Sequence, residues 1–276
     1  MTGLTPEEHY YVKAYAYNSA GYGYGGEVEF DTPAAAGLPT VTAQAASLIE
    51  NTTATTNGNI TDDGGEDCDK RGVVYDTETH VDPGDVAPGA SGYANFAEDT
   101  DGFGEGAFTK AISSLPPGTT IYYRMYAHNS EGYDYSNTEI SFLTKPAAPT
   151  DFQALDGYSY AYVRTIWTLS TGATQYQVYR DGTPLGWVGI TATFDDDGAG
   201  APTITPGDAD ASDGLYTDKV ALSLSGQSAS VGATHTYKVR ARNATGESGD
   251  SNMDTGYRSV GALTYQWQRS SGDEEP

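Results

Sequence analysis

The stretch Tyr10–Gly21, YYVKAYAYNSAG, is written again at Ile121–Gly132 as IYYRMYAHNSEG and at His235–Gly246 as HTYKVRARNATG. Its asparagines, Asn18, Asn129 and Asn243, follow one another at 111 and 114 residues. That period is too long for a stacked solenoid and fits one small all-β domain per copy. Counting back from each asparagine by twos gives Tyr10, Val12, Ala14 and Ala16, then Ile121, Tyr123, Met125 and Ala127, then His235, Tyr237, Val239 and Ala241. A nearly apolar set at every second residue is the buried face of a strand. The repeated phrase is therefore one core strand.

Composition agrees with an all-β chain. Among 276 residues there are 22 Tyr and 34 Gly, and no helical period of useful length occurs. The net charge of −24 excludes a nucleic acid or an anionic membrane as a partner, because both need cationic patches. Such acidity suits solvation, display outside a cell, or binding of divalent cations. Cys68 is the one cysteine, so no disulfide forms within the chain, and the carboxylates of GGEDCDK around it disfavour its thiolate. No segment has the length of apolar sequence needed to span a bilayer, and MTGLTPEEHYYVK lacks the apolar core of a secretion signal.

Turn-rich and proline-rich stretches divide the chain. Residues 1–32 hold the phrase, a turn and one further strand, which is a hairpin without the rest of its domain. A linker, 33–39, precedes a domain at 40–144. Its strands are expected at Thr40–Ala45, Ala54–Ile60, Gly72–Tyr75, Gly106–Ser113, Ile121–Asn129 and Glu139–Leu143, with acidic loops at 61–70 and 97–105. A second linker, 145–149, precedes a domain at 150–260 with an acidic insertion at 195–218. Strands are expected there near Phe152–Leu155, Tyr162–Leu169, Gln175–Arg180, Lys219–Leu224, Thr236–Asn243 and Asp254–Ser259. Residues 261–276 contain GALTYQWQRSS, a strand in which Tyr265 and Trp267 alternate, and an acidic tail.

Leu115–Gly132, followed by a strand ending in SFLT, resembles the last two strands of a fibronectin type III domain. The run from PAAPTDFQALDG through TIWTLS, TQYQVYRDG and HTYKVRARNATGES resembles a whole one, with Trp167 on its second strand. The resemblance implies tandem immunoglobulin-like β-sandwiches of the kind found in bacterial surface or virion fibre proteins. It says little about function, because such modules serve as adhesins, spacers and enzyme appendages alike. It also implies a tyrosine at the first inward position with its hydroxyl bonded back to the preceding loop. Tyr10 keeps that residue, whereas Ile121 and His235 replace it.

Three sets of residues are candidates for function. The outward positions of the phrase form tyrosine rows, Tyr11, Tyr15 and Tyr17 in the first copy and Tyr122 and Tyr126 in the second. These can bind a glycan or a protein, or simply stabilise the sheet. The third copy has Thr236, Lys238, Arg240 and Arg242 there, so the row is not general. Acidic loops gather Asp62, Asp63, Glu66, Asp67 and Asp69, then Asp99, Asp101 and Glu105, and in the insertion Asp195, Asp197, Asp208, Asp210 and Asp213. Calcium wants six to eight oxygens, and such loops can supply them. Asp208–Ser212 begins like an EF-hand loop, but its glycine comes one position late and Lys219 occupies the closing glutamate position. Assembly is the third possibility, through Tyr10, Val12, Val28 and Phe30 of the hairpin and Tyr265 and Trp267 near the other end.

The four histidines have no metal-ligand spacing, and no nucleophile elbow, phosphate loop or zinc-protease motif occurs. Asn51, Asn59 and Asn243 lie in glycosylation sequons, which matter only in a host that uses them. The expectation is a non-enzymatic, extracellular structural or adhesive protein, a stalk or fibre without a cofactor other than calcium. Its partners would be neighbouring copies of itself, adjoining domains, surface glycans or surface proteins. An accessory carbohydrate-binding module of a secreted enzyme and a virion decoration protein are alternatives. The unfinished hairpin has three explanations: a window on a longer chain, strand exchange between subunits, or closure within one molecule.

Overall fold

The computed structural model describes residues 2–205 and 228–260. Two compact units divide the chain, with the main break at Thr144/Lys145. The first unit begins with a two-stranded antiparallel ribbon, β1 (His9–Asn18) and β2 (Gly21–Asp31). It continues with β3 (Thr40–Ser47), β4 (Thr53–Asp62), β5 (Cys68–Asp76), a 3-10 turn at Pro88–Ala90, β6 (Asn95–Phe103) and β7 (Gly106–Ser113). The repeated phrase follows as β8 (Thr120–Asn129), then β9 (Gly132–Tyr135) and β10 (Ile140–Leu143). One sheet has the order β3-β4-β7 and the other β10-β8-β5-β6, with β9 also on β8.

The second unit holds β11 (Thr150–Ala154), β12 (Val163–Thr168), β13 (Gln175–Arg180), β14 (Thr183–Val188) and β15 (Thr193–Asp196). It ends with β16 (Thr203–Thr205), β17 (Ser228–Ser230), β18 (His235–Arg242) and β19 (Asp254–Gly256). Its sheets run β11-β12-β15 and β14-β13-β18-β19, and β16 pairs with β17 on either side of residues 206–227. Counted from β3 in one sandwich and from β11 in the other, the first, second and fifth strands make one sheet. The third, fourth and later strands make the other. That is the strand order of a fibronectin type III-like sandwich, and the fold is all-β.

Alternation in the phrase explains the cores. Ile121, Tyr123, Met125 and Ala127 are buried with Val41, Val73 and Phe108, and Tyr237, Val239 and Ala241 are buried with Trp167, Tyr176 and Val178. Gly58 on β4 lies under Met125, whose Cγ would be 2.9 Å from a Cβ built there. The glycine leaves room for the long side chain to fill. The turn that closes each phrase is also common to all three. The Asn18, Asn129 and Asn243 side chains accept the N–H groups of Ala20, Glu131 and Thr245. Gly21, Gly132 and Gly246 follow at φ of 130°, 141° and 152°, where a side chain would be strained.

Two sequence expectations are corrected. Residues 97–105 are not a loop, because most of them belong to β6, which pairs with β5 at the sheet edge. Acidic residues suit an edge strand, where charge opposes pairing with another chain. β14 and β15 were likewise not anticipated. The expected strand Lys219–Leu224 lies outside the described residues.

The buried tyrosines make the fold sensitive to alkali. Burial pushes the Tyr123 hydroxyl up to about 12. Burial also raises Tyr135, and burial together with Glu98 raises Tyr126. In the unfolded chain these hydroxyls ionise near pH 10. Their contribution is therefore complete below about pH 10 and is lost as pH rises towards 12. A spectrophotometric titration of tyrosinate absorbance should show one cooperative step in that window coincident with loss of β-sheet circular dichroism. In acid the opposite sign holds for Asp250, which Arg240 holds below the usual carboxylate range. Its contribution fades as pH falls below about 4.

Candidate functional site, the tyrosine hairpin

β1 and β2 pair along their length, from His9↔Asp31 to Asn18↔Gly21. Gly25 and Gly26 form a bulge opposite Ala14, which leaves the alternation of β1 intact. The Tyr10 hydroxyl accepts the Thr5 N–H at 2.8 Å, the bond back to the loop that the resemblance implies. His235 instead pairs with Asp181 at 2.6 Å, and Ile121 is simply buried.

The hairpin matches β8–β10 pair by pair, with one residue fewer between the tyrosine pairs and the apolar pairs on its second strand. Tyr10↔Phe30 and Val12↔Val28 in the ribbon correspond to Ile121↔Phe142 and Tyr123↔Ile140 in the sandwich. Ile121, Tyr123 and Phe142 are core residues there. Val28 by contrast is 63% exposed, and Tyr10, Val12 and Phe30 are half-buried. Across the other face, Tyr15, Tyr22 and Tyr24 form a triangle with ring centroids 6.0, 6.2 and 6.3 Å apart. Tyr126, Tyr133 and Tyr135 form the equivalent cluster in the sandwich, with 6.2 and 5.5 Å from Tyr126 to its two neighbours.

What differs is the cover. Over the sandwich cluster the segment between β5 and β6 is held down by named bonds. The Tyr135 hydroxyl donates to the Val86 carbonyl of that segment at 3.0 Å, while the Tyr126 hydroxyl donates to Glu98 of β6 at 2.9 Å. The Tyr133 N–H donates to Asp85 at 2.9 Å. Glu139 accepts from both the Tyr93 hydroxyl and the His80 N–H. In the hairpin the counterpart of the Arg124/Glu139 position is Lys13/Glu27, an exposed pair at 3.2 Å. Tyr11, Tyr15 and Tyr17 are each more than 60% exposed, as are Tyr22 and Tyr24.

The sandwich's own tyrosine row is thus corrected. Tyr126 is fully buried under the 77–94 segment and offers no surface, and Tyr122 is half-buried. Sequence alternation assigned Tyr126 to the outward side correctly, but not the loop that closes over it.

One edge separates the hairpin from both sandwiches. The side of β8 away from β10 is paired with β5, from Lys70↔His128 to Asp76↔Tyr122. The corresponding side of β18 is paired with β13, from Gln175↔Arg242 to Arg180↔Tyr237. Among the described residues β1 pairs only with β2.

The acidic sets divide differently from expectation. Asp195 is engaged by Arg164 in a two-pronged pair at 2.7 Å, so it is not an open calcium ligand. Asp197 is exposed and its carbonyl accepts from Arg258. Asp208, Asp210 and Asp213 lie outside the described residues. Glu66 caps the Ser130 N–H, Asp69 pairs with His128 and Asp99 with Lys110. Asp62, Asp63 and Glu105 gather with carboxylate oxygens within 4.8 Å of one another, Asp62 and Asp63 also accepting the N–H groups of Gly64 and Gly65. The pairing of Ile60 with Gly106 brings them together. Three carboxylates so close repel unless a cation joins them. In chelator, Glu105→Gln should raise stability by about 0.5 kcal/mol, read as the urea midpoint. An unchanged or lower midpoint would contradict the repulsion.

Cys68 is fully buried at the start of β5. Burial first, then Asp63 and Asp69, pushes its thiol up to about 11.

No family model and no curated protein matches this chain. Among solved structures, the crystal structure of the chicken CNTN1 FN1–FN3 domains resembles it. The two are 16% identical with a TM-score of 0.35, over 81% of this chain and 67% of that one. The fold assignment rests on the strand order. No helix among the described residues is long and apolar enough to cross a membrane.

Proposed function

We propose that this protein is a non-enzymatic structural or adhesive component, a stalk or fibre of tandem β-sandwiches at a cell surface or on a virion. Its copies join head to tail by strand complementation. The observation behind this reading is the hairpin: a counterpart of β8–β10 whose tyrosine face and outer β1 edge are open among the described residues, with Val28 exposed on its apolar face. A bare edge and face of this kind favour pairing with another chain. Light scattering across a concentration series, with electron microscopy of the same samples, tests it. Concentration-dependent filaments or rings are expected, and dispersed monomers throughout would overturn the assembly. Calcium at Asp62, Asp63 and Glu105 would stiffen the first sandwich. A melting temperature unchanged by chelator would remove calcium from the reading.

A second reading has one observation of its own. Tyr11, Tyr15 and Tyr17 with Tyr22 and Tyr24 present an exposed aromatic surface of the kind that stacks on sugar rings. A polysaccharide pull-down that loses its signal with Tyr15→Ala plus Tyr17→Ala would favour an accessory carbohydrate-binding module.

A further inference from the structure

The strand that β1 lacks has a counterpart written near the other end of the chain. In the second sandwich β13 carries Tyr176-Gln177-Val178-Tyr179-Arg180, YQVYR, and its place is against β18, the third copy of the repeated phrase. Tyr265-Gln266-Trp267-Gln268-Arg269, YQWQR, repeats that pattern with tyrosine, glutamine and arginine at the same spacing. The segment after Val260 is longer than the six residues of β13. We infer that Thr264–Arg269 of a second copy docks on the open edge of β1 as β13 docks on β18. This rests on the head-to-tail assembly proposed above and names its donor and register.

The register follows from the shared asparagine. β13 sets Tyr176 opposite Ala241, Val178 opposite Val239 and Arg180 opposite Tyr237. Replacing the third copy of the phrase by the first sets Tyr265 opposite Ala16, Trp267 opposite Ala14 and Arg269 opposite Val12. The sizes compensate, because β1 has an alanine where β18 has Val239, and the donor has a tryptophan where β13 has Val178. Ala14 and Ala16 are exposed on β1, and Tyr176 and Val178 are buried on β13. The donor's Tyr265 and Trp267 would therefore turn to the side that Tyr10, Val12, Val28 and Phe30 share. On the tyrosine side Gln266 would meet Tyr15, and Gln268 would meet Lys13. Each copy accepts at its hairpin and donates after Val260, so the contact is heterologous and propagates.

Two singly substituted full-length chains, Lys13→Cys and Gln268→Cys, test this when mixed and oxidised. The native Cys68 is fully buried and does not compete. A disulfide between the two chains is expected at a yield on the order of tenfold above that of Lys13→Cys mixed with Thr264→Cys, whose register partner is Tyr17. Trp267→Ala should weaken association on the order of 30-fold with unchanged circular dichroism. Equal yields from the two mixtures would overturn the register. A link formed within one doubly substituted chain at high dilution would overturn donation between copies. Oligomers that survive Trp267→Ala at full strength and give no cross-link would overturn this donor while leaving the head-to-tail reading in place. Monomers at every concentration would remove both.

Discussion

Tyr126→Ala is expected to destabilise the first sandwich by about 3–5 kcal/mol, whereas Tyr15→Ala changes stability by less than about 0.5 kcal/mol. The two tyrosines occupy the same place in the repeated phrase and the same corner of a tyrosine triangle. Tyr126 is fully buried, and its hydroxyl is bonded to Glu98. Its truncation leaves a ring-sized void and removes the partner of a half-buried carboxylate. Tyr15 is 67% exposed, so its truncation forfeits little more than ring contacts with Tyr22 and Tyr24. Urea unfolding of dilute protein compares them. Similar costs for both would mean that the hairpin face is covered within one molecule.

Asp196→Ala is expected to cost the second sandwich about 3 kcal/mol or more. Asp196 is 3% exposed and accepts from Arg180, from the Tyr237 hydroxyl at 2.9 Å and from the Gly198 N–H at 3.0 Å. Its removal leaves the Arg180 guanidinium largely buried without its counter-charge and the Tyr237 hydroxyl without an acceptor. The pair joins β15 to β13, one strand from each sheet. The double variant Asp196→Ala plus Arg180→Met should recover a large part of the loss, because an apolar replacement of both partners removes the stranded charge. A double variant no more stable than the single one would contradict that account. Asp195 beside it is solvent-facing and pairs with Arg164, so Asp195→Ala should cost less than about 1 kcal/mol.

The repeated phrase revealed a core strand because a period of two is a local property of the chain. Ile121, Tyr123 and Met125 therefore proved to be core residues, as the alternation required. The same period says which side a residue faces, and nothing about what lies over that side. Tyr126 was misread for that reason: its cover is the 77–94 segment, a stretch without periodicity that is held by single bonds at Val86, Tyr93 and Asp85. β6 was misread because NFAEDTDGF is rich in acid and poor in branched residues. Its strand character comes from pairing with β5 and not from its own propensity. The approach of Glu105 to Asp62 and Asp63 depends on the β4–β7 register, which no local pattern contains. The hairpin was legible as two paired strands. Its open edge became specific only once β5 and β13 were found on the same side of the other two copies.

In the proposed assembly, the edge of β1 that is open among the described residues is completed by a second molecule. Amide hydrogen exchange, read peptide by peptide across a protein dilution series, tests it most directly. In dilute solution β1 and β2 should exchange orders of magnitude faster than β8 and β18. As concentration rises, β1 should gain protection while β8 and β18 stay unchanged. Protection of β1 equal to that of β8 at the lowest concentration, or exchange of β1 that never slows with concentration, would contradict it.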